Sequence, residues 1–116
     1  MSYEDLALPE NAPLPGFYYH YKHDPAKGDY DFAYELLGTG IYTEDDRKDE
    51  DRLFAVYRPL YPSYAYTHGQ LFDVRPLRMF MEPVIIDGKQ MPRFTRIVDG
   101  SLLDRLMKRR DEMYFL

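Results

Sequence analysis

Short apolar runs that end at proline are the feature of this sequence that most constrains its fold. The run "LFAVY" (53–57) is followed by Pro59, and "QLFDV" (70–74) is followed by Pro76. Proline fixes φ and has no amide N–H to donate, so it interrupts helices and β-ladders alike. Runs of this length, rich in aromatic and β-branched residues, are typical of strands. We therefore predict a protein built mainly from short β-strands.

Two segments in the first half of the chain also carry strand patterns. "FYYHYK" (17–22) is rich in β-favouring aromatic residues, and "YDFAYELLGTGIY" (30–42) begins with three aromatic residues that alternate with other residues. A period of two places every second side chain on the same face of a strand. We predict strands over both segments, with a bulge or bend near Gly38 and Gly40.

The second half adds a hairpin, a helical turn and a last strand. Asp87-Gly88 lies between apolar flanks, which is the strongest short signal for a two-residue hairpin. "LRMF" (77–80) is predicted as a single helical turn, and "RFTRIV" (93–98) as the last strand. These segments bring the total to five or six short strands.

The C-terminal segment "SLLDRLMKRRDEMYFL" (101–116) changes to a helical period. Its leucines and methionines recur near helical spacing, and Ser101 with Asp104 resembles a helix-start capping pair. We predict an amphipathic helix packed on the strands; its basic patch Lys108–Arg110 leaves a docking surface for another protein as the alternative. The chain is then divided into three parts, an extended N-terminal arm (1–15), a small β-barrel or roll (16–98) and the helical segment (99–116).

Composition limits the classes of function. The chain has 116 residues, enough for one modest core, and carries a net charge of -5 from 15 basic and 20 acidic residues. Nucleic-acid binding depends on neutralising phosphates, so this balance argues against it. The chain has no cysteine, which excludes a disulfide, a thiol nucleophile and a thiolate metal site. We find neither a signal-peptide pattern nor an apolar run of membrane-spanning length, so we expect a cytoplasmic protein.

The tripeptide Arg-Pro-Leu occurs twice, at 58–60 and at 75–77. The residue before a proline is held extended, so each copy fixes an arginine at the end of a strand. One interpretation is that the two arginines bind an anionic ligand bidentately. The other, which we favour, is that they pair with internal carboxylates such as Glu35, Glu44 or Asp73, because an unpaired buried charge is costly.

The direction of each arginine depends on which of its neighbours are buried. Arg75 faces away from the core if Phe72 and Val74 point into it, because neighbouring residues of a strand lie on opposite faces. Arg58 lies over the edge of the core if Phe54 and Val56 point inward. A charged group in that position needs an anionic partner.

His20 and His23 are separated by three residues. On a helix this spacing could hold a metal ion, but on a strand the two rings point to opposite faces, so we predict no metal site. His20 as a general base stays an alternative, since imidazole titrates near neutrality, although no recognisable motif places a nucleophile or an acid beside it. A structural or ligand-contacting His20 is the favoured interpretation.

Two loop segments have unusual composition. "EDDRKDED" (44–51) lacks the central glycine and the alternating oxygen ligands of a calcium-binding loop, so we predict a solvated hairpin loop. "YPSYAYTHG" (61–69) brings Tyr61, Tyr64 and Tyr66 close together in sequence. They form either a stacking platform for bases or sugars, or rings that anchor their own loop.

Four motifs in a fixed order resemble those of a known family. They are "GFYYHYK" (16–22), "VYRPLY" (56–61), "VRPLRMF" (74–80) and "DGKQMPRF" (87–94). In this order they resemble the signature of the short bacterial proteins grouped as domain-of-unknown-function family 1653. The resemblance covers about 16–97, and the N-terminal arm and the C-terminal helix lie outside it.

The resemblance implies a small barrel of the Src-homology-3-like (SH3-like) type and supplies no function. Phe72 stands where the family prefers Trp, His23 follows the lysine where family members usually have Gly, and Thr43-Glu44 stands with an acidic insertion where they have Ser-Glu-Thr. The signature residues in this sequence are Tyr18, His20, Tyr21, Lys22, Tyr57, Arg58, Leu60, Tyr61, Arg75, Pro76, Met79, Phe80, Arg93 and Phe94.

We therefore expect a mainly β protein, a small SH3-like β-barrel or roll of five to six strands with an extended N-terminal arm and a short C-terminal α-helix. The favoured function is non-catalytic binding of a small anionic ligand or an acidic peptide, without cofactor or metal, by a monomer or homodimer. The predicted ligand-binding residues are Tyr18, His20, Lys22, Tyr57, Arg58, Tyr61, Arg75 and Arg93. The alternatives are a small enzyme with His20 as general base and an arginine that stabilises an anionic intermediate, and an assembly protein that pairs through its helix or a strand edge.

Overall fold

The computed structural model describes residues 7–44, 46–48, 51–63 and 71–115. Its strands are β1 (Gly16–His20), β2 (Ala33–Ile41), β3 (Leu53–Pro59), β4 (Asp73–Pro76), β5 (Val84–Ile86), β6 (Lys89–Met91) and β7 (Phe94–Arg96). Its helices are α1 (Leu77–Met81), α2 (Gly100–Tyr114) and a short 3₁₀ helix (Pro25–Lys27). Five strands form one sheet in the order β4-β3-β2-β1-β7, and β5 pairs with β6 in a second sheet.

The large sheet is an antiparallel meander whose last strand returns to the first. The strands β1 to β4 pair in sequence order, and β7 then pairs with the free side of β1. Tyr18 therefore lies between Tyr34 of β2 and Arg96 of β7. This sheet, the hairpin and the C-terminal helix confirm the prediction of a mainly β protein with a C-terminal helix. The division into arm, barrel and helix stays a prediction.

Two apolar clusters lie on opposite faces of this sheet, because both faces are covered. The first contains Tyr18, Leu36, Ala55 and Tyr57, together with Leu77 and Phe80 of α1. The second packs α2 onto the other face, and it contains Phe17, Ala33, Leu60, Ile97 and Leu106. Consecutive residues such as Phe17 and Tyr18 are both buried because each faces a different cluster.

The beginning of β2 differs from the prediction. The aromatic alternation predicts a strand from Tyr30, but β2 begins at Ala33. The backbone N–H of Ala33 donates to the carbonyl of Tyr30, and Phe32 has a φ of 49°. A left-handed residue and a turn hydrogen bond both interrupt a β-ladder, so the prediction for 30–32 was wrong.

Other strand ends moved by a few residues. β1 ends at His20 rather than at Lys22, because the chain turns and the amide of His23 donates to the carbonyl of His20. β4 begins at Asp73 rather than at Gln70, which lies outside the described residues. β3 runs on to include Pro59, which pairs with Tyr34 as the last residue of the strand.

Both glycine-based predictions are confirmed. The pairing of β2 with β3 changes register between Leu36 and Gly38, which is a bulge. Asp87 and Gly88 have φ values of 51° and 76° and connect β5 to β6, so they form the predicted two-residue hairpin turn.

Helix α2 begins at Gly100, and its N-cap is Asp99 rather than Ser101. The Asp99 carboxylate accepts a hydrogen bond from the backbone N–H of Leu102 at 3.1 Å. The spacing of Ser101 and Asp104 therefore predicted the helix correctly, but it placed the N-cap two residues after Asp99. Among the described residues no helix combines the length and apolar character that a membrane span requires.

Candidate functional site

The two Arg-Pro-Leu arginines lie on opposite faces of the large sheet. Val74 is 62% exposed and Ala55, which pairs with Arg75, is fully buried. Val74 therefore does not point into the core, which was the condition for Arg75 to face away from it. Arg75 lies instead on the face of the first apolar cluster. Arg58 lies on the opposite face, beneath α2.

Arg58 is paired inside the protein. It is 7% exposed, and its Nε and Nη2 donate to Oε1 of Glu35 at 3.0 and 2.9 Å. The other oxygen of Glu35 accepts from Nη1 of Arg110 in α2 at 2.9 Å. The Arg58 guanidinium also lies 4.2 Å from the centre of the Tyr114 ring. This arrangement fixes the end of α2 to the sheet, and its anionic partner is Glu35, one of the three carboxylates proposed from the sequence.

Arg75 has a different environment. Its Nε donates to the hydroxyl of Tyr57 at 3.3 Å, and its guanidinium carbon lies 5.9 Å from the centre of the Phe94 ring. Within the described part of the chain no carboxylate lies within ion-pair distance of Arg75. Since Nε is the only atom used by Tyr57, the two terminal nitrogens remain able to donate.

Arg93 lies next to Phe94, where the chain enters β7. Its carbonyl accepts a hydrogen bond from the amide of Tyr21 at 2.9 Å, which holds this segment against the end of β1. Its Nε atom is buried and has no hydrogen-bond partner among the described residues. A buried donor without a partner is costly.

His20 is surrounded by rings, and the charges of Arg75 and Arg93 act on it. Its ring stacks on Phe32 at 5.5 Å between ring centres and meets Phe94 edge-on at 5.2 Å. Nδ1 accepts a hydrogen bond from the amide of Lys22 at 3.2 Å, so the neutral ring carries its proton on Nε2.

Burial and nearby cations lower the pKa of His20 to about 4. Burial is the largest cause, followed by the positive charges of Arg75, Lys22 and Arg93. His20 is therefore neutral at pH 7 and offers Nε2–H as a donor. We refer to His20, Lys22, Arg75 and Arg93 as the basic site.

Tyrosine hydroxyls border the basic site. Those of Tyr34 and Tyr61 hydrogen-bond to each other, and the rings of Tyr34 and Phe94 meet edge-on at 5.9 Å. Burial raises the pKa of Tyr34 and of Tyr61, so both are neutral donors at pH 7. Burial also raises the pKa of Asp73, although the charge of Arg75 opposes this rise.

The remaining predicted site residues are not part of this group. Tyr18 is 5% exposed, donates from its hydroxyl to the carbonyl of Leu14 at 2.7 Å and accepts from Arg96 at 3.2 Å, so it holds the arm. Tyr57 is buried and contributes its hydroxyl to Arg75 from within the first cluster. Tyr64 and Tyr66, the other members of the tyrosine platform, lie outside the described residues, as does His68.

Sequence reasoning named Asp73 as a possible partner of the arginines, but it missed Phe32 and Tyr34 as neighbours of the site. The alternation of aromatic residues at 30–34 in the sequence was a usable signal for both, although Phe32 precedes β2 in the structure. No sequence signal indicated the left-handed backbone of Phe32. No group of three His, Cys, Asp or Glu side chains that could hold a metal ion exists among the described residues.

Comparison with known proteins agrees with the four motifs. The family model described as "Protein of unknown function (DUF1653)" matches residues 16–96. A crystal structure of a DUF1653 protein from Bordetella bronchiseptica is 29% identical, with a TM-score of 0.48, and the alignment covers 75% of this chain and 94% of that one. No curated protein matches the chain. The resemblance read from the motifs is thereby confirmed, and the chain belongs to the DUF1653 family of proteins of unknown function.

Proposed function

We propose that this protein is a non-catalytic binding module for a small anionic ligand, and that the ligand binds at the basic site. The observation that carries the proposal is Arg75, whose two terminal nitrogens make no hydrogen bond or ion pair among the described residues. Arg75 and Arg93 have no ion-paired carboxylate among the described residues, and their charges act on the neutral donor His20. Such groups are suited to bind an oxyanion with charge-assisted hydrogen bonds.

The contrast with Arg58 supports the proposal. The protein has a net charge of -5 and pairs both Arg58 and Arg110 with Glu35, so carboxylates are available for internal pairing. Among the described residues, the charged groups that shift the pKa of His20 are nevertheless the cations Arg75, Lys22 and Arg93. A local excess of positive charge in an acidic protein costs self-repulsion, and an anionic ligand would relieve it.

The enzyme alternative has less support. A general base near neutral pH needs a pKa close to 7, whereas burial and three cations lower the pKa of His20 to about 4. Within the described residues, the hydrogen-bond partner of the His20 ring is the amide of Lys22, and neither a carboxylate nor a hydroxyl hydrogen-bonds to it.

The SH3-like barrel is part of the same proposal. The meander β1 to β4 with β7 returning beside β1 is a connectivity that allows a five-stranded sheet to roll up. The bulge at Gly38 supports this, since bulges add the bend and twist that a rolled sheet needs. The cytoplasmic location and the choice between monomer and homodimer stay predictions, the second of them testable by light scattering at several concentrations.

The binding proposal is tested by NMR titration of the protein with small anions. Inorganic phosphate, acetate, phenyl phosphate and benzoate would be added to wild type, to Arg93→Gln and to Arg75→Gln, while the His20 ring signals are followed. We expect the His20 signals of the wild type to shift and saturate as anion is added. The affinity obtained from these shifts should fall at least tenfold in either variant.

The matched control is Arg105→Gln, which removes an exposed arginine outside the basic site. In the wild type, Nε of Arg105 lies 2.8 Å from a carboxylate oxygen of Asp29. The control variant should bind as the wild type does. The proposal fails if none of these anions shifts the His20 signals, or if Arg105→Gln weakens binding as much as Arg93→Gln.

A further inference from the structure

The uncompensated charge of the basic site indicates how many charges its ligand carries, if the proposed function holds. Lys22, Arg75 and Arg93 are cationic, His20 is neutral, and the nearby carboxylate that acts on this group is Asp73, through Arg75. Among the described residues, three cations of this group are therefore set against one carboxylate that acts on them. A carboxylate ligand would neutralise one of them, whereas a phosphate monoester near pH 7.5 carries close to two negative charges.

The number of donors supports the same choice. Arg75 retains two terminal nitrogens, because Tyr57 accepts from Nε alone, and His20 adds Nε2–H. The guanidinium of Arg93 carries further N–H donors. These donors, with Lys22, exceed what the two oxygens of a carboxylate accept comfortably, whereas a phosphate monoester presents three strong acceptor oxygens.

Aromatic rings beside the donors indicate what the phosphate is attached to. Phe32 is one of two described non-glycine residues with positive φ, and at 49° this conformation is uncommon for a bulky residue. It brings the ring against His20 and to 5.9 Å from the Tyr61 ring. Such conformations cluster at ligand sites, and a partly exposed flat ring offers a stacking surface.

We infer that the ligand of the basic site is a phosphate monoester of an unsaturated ring compound, with the phosphate on Arg75, Arg93 and His20 and the ring against Phe32. This inference rests on the proposed function and makes it more specific. It distinguishes the ligand from carboxylates and from singly charged anions of the same shape.

Three probes of related shape test the inference by isothermal titration calorimetry at pH 7.5. Phenyl phosphate and phenyl sulfate share their geometry and differ by one charge, and methyl phosphate keeps the charge without the ring. We expect phenyl phosphate to bind at least tenfold more tightly than phenyl sulfate, and several-fold more tightly than methyl phosphate. Benzoate should bind at least tenfold more weakly than phenyl phosphate.

A variant separates the ring from the charge. In Phe32→Asn the ring is removed, and asparagine tolerates the left-handed backbone better than most residues. Phenyl and methyl phosphate should then bind with equal affinity, while the preference over sulfate is kept. Arg105→Gln serves as the control that leaves all affinities unchanged.

Each outcome decides a separate statement. If phenyl sulfate or benzoate binds as tightly as phenyl phosphate, the inference about the ligand is overturned and anion binding stands. If methyl phosphate binds as tightly as phenyl phosphate in the wild type, the part that assigns the ring is wrong. If no probe binds, the proposed function itself fails.

Discussion

The buried ion-pair network beneath α2 provides the sharpest test of how this fold is held together. Glu35 accepts from Arg58 with one oxygen and from Arg110 with the other, both at 2.9 Å. The side chains of Arg58 and Glu35 are 8% and 13% exposed, while that of Arg110 is 21% exposed. Replacing Glu35 by alanine removes the shared anion and leaves the Arg58 charge buried without its partner.

The expected loss follows from that burial. Breaking a buried ion pair by removing one partner costs about 3–5 kcal/mol, because the remaining charge has lost both its partner and its water. The Tyr114 ring, 4.2 Å from the guanidinium carbon, stays and offsets part of this cost. We therefore expect about 3 kcal/mol, a large part of the roughly 5–15 kcal/mol that stabilises a domain of ordinary size.

Urea unfolding followed by circular dichroism measures this loss. With an m-value of about 1.5 kcal/mol per molar urea, the midpoint should fall by about 2 M. The matched control is Asp29→Ala, which breaks the Arg105–Asp29 pair of 2.8 Å, whose side chains are 50% and 45% exposed. Its midpoint should stay close to that of the wild type, because exposed pairs are already solvated.

A double variant identifies the cause of the loss. Glu35→Leu combined with Arg58→Met removes both charges and keeps similar volume, so it should recover most of the stability lost in Glu35→Ala. The reasoning is refuted if Glu35→Ala and Asp29→Ala lower the midpoint equally. It is also refuted if the double variant is as unstable as Glu35→Ala, because the cost then does not come from an uncompensated charge.

Three further predictions concern the basic site, the core and the hairpin. The pKa of His20 is about 4 in the folded protein and 6.5 in the unfolded chain, so between these values unfolding takes up a proton and stability falls as the pH decreases from 6.5 to 4. Because the ring is partly exposed, we expect a loss of about 1–2 kcal/mol. Urea titrations at pH 4.5 and 7 should find this loss in the wild type and not in His20→Gln. Leu106→Ala should cost about 2–5 kcal/mol, since Leu106 is fully buried between α2 and the sheet, and a thermal midpoint equal to that of the exposed-site variant Met107→Ala would contradict this. Gly88→Val should destabilise the β5–β6 hairpin, because Gly88 has a φ of 76° that a β-branched residue resists; amide hydrogen exchange of β5 and β6 should accelerate, and unchanged protection would show that the turn does not depend on glycine.

Local signals in the sequence predicted most of the strands and the helix. Asp87-Gly88 and the bulge at Gly38 were found because glycine and short polar residues mark backbone geometry directly, without reference to distant contacts. The start of β2 was placed three residues early. The alternation of aromatic residues in the sequence includes Phe32, whereas the extended backbone of the strand begins only at Ala33. Periodicity reports which residues could share a face, and it does not report where the ladder begins.

The candidate site could be predicted in its residue types and only partly in its membership. The basic residues of the shared motifs include His20, Arg75 and Arg93, and in the fold the charges of both arginines act on His20. They also include Arg58, which lies on the other face of the sheet and pairs with Glu35. The faces of the two arginines were left open by the sequence, because they depend on which neighbours pack on α1 and which on α2. Such a choice is made by long-range contacts, and a tripeptide contains none of that information.

The same tripeptide therefore has two outcomes, and the difference between them indicates where a ligand should bind. In both copies proline ends a strand and the preceding arginine is fixed there. At Arg58 the fold supplies Glu35 from β2 and covers the pair with α2. At Arg75 the fold supplies a tyrosine hydroxyl, a neutral histidine and a second arginine whose buried nitrogen lacks a partner among the described residues. Among the described residues the fold therefore pairs one of these arginines with a carboxylate and leaves Arg75 and Arg93 without one. The proposed anion site depends on this contrast.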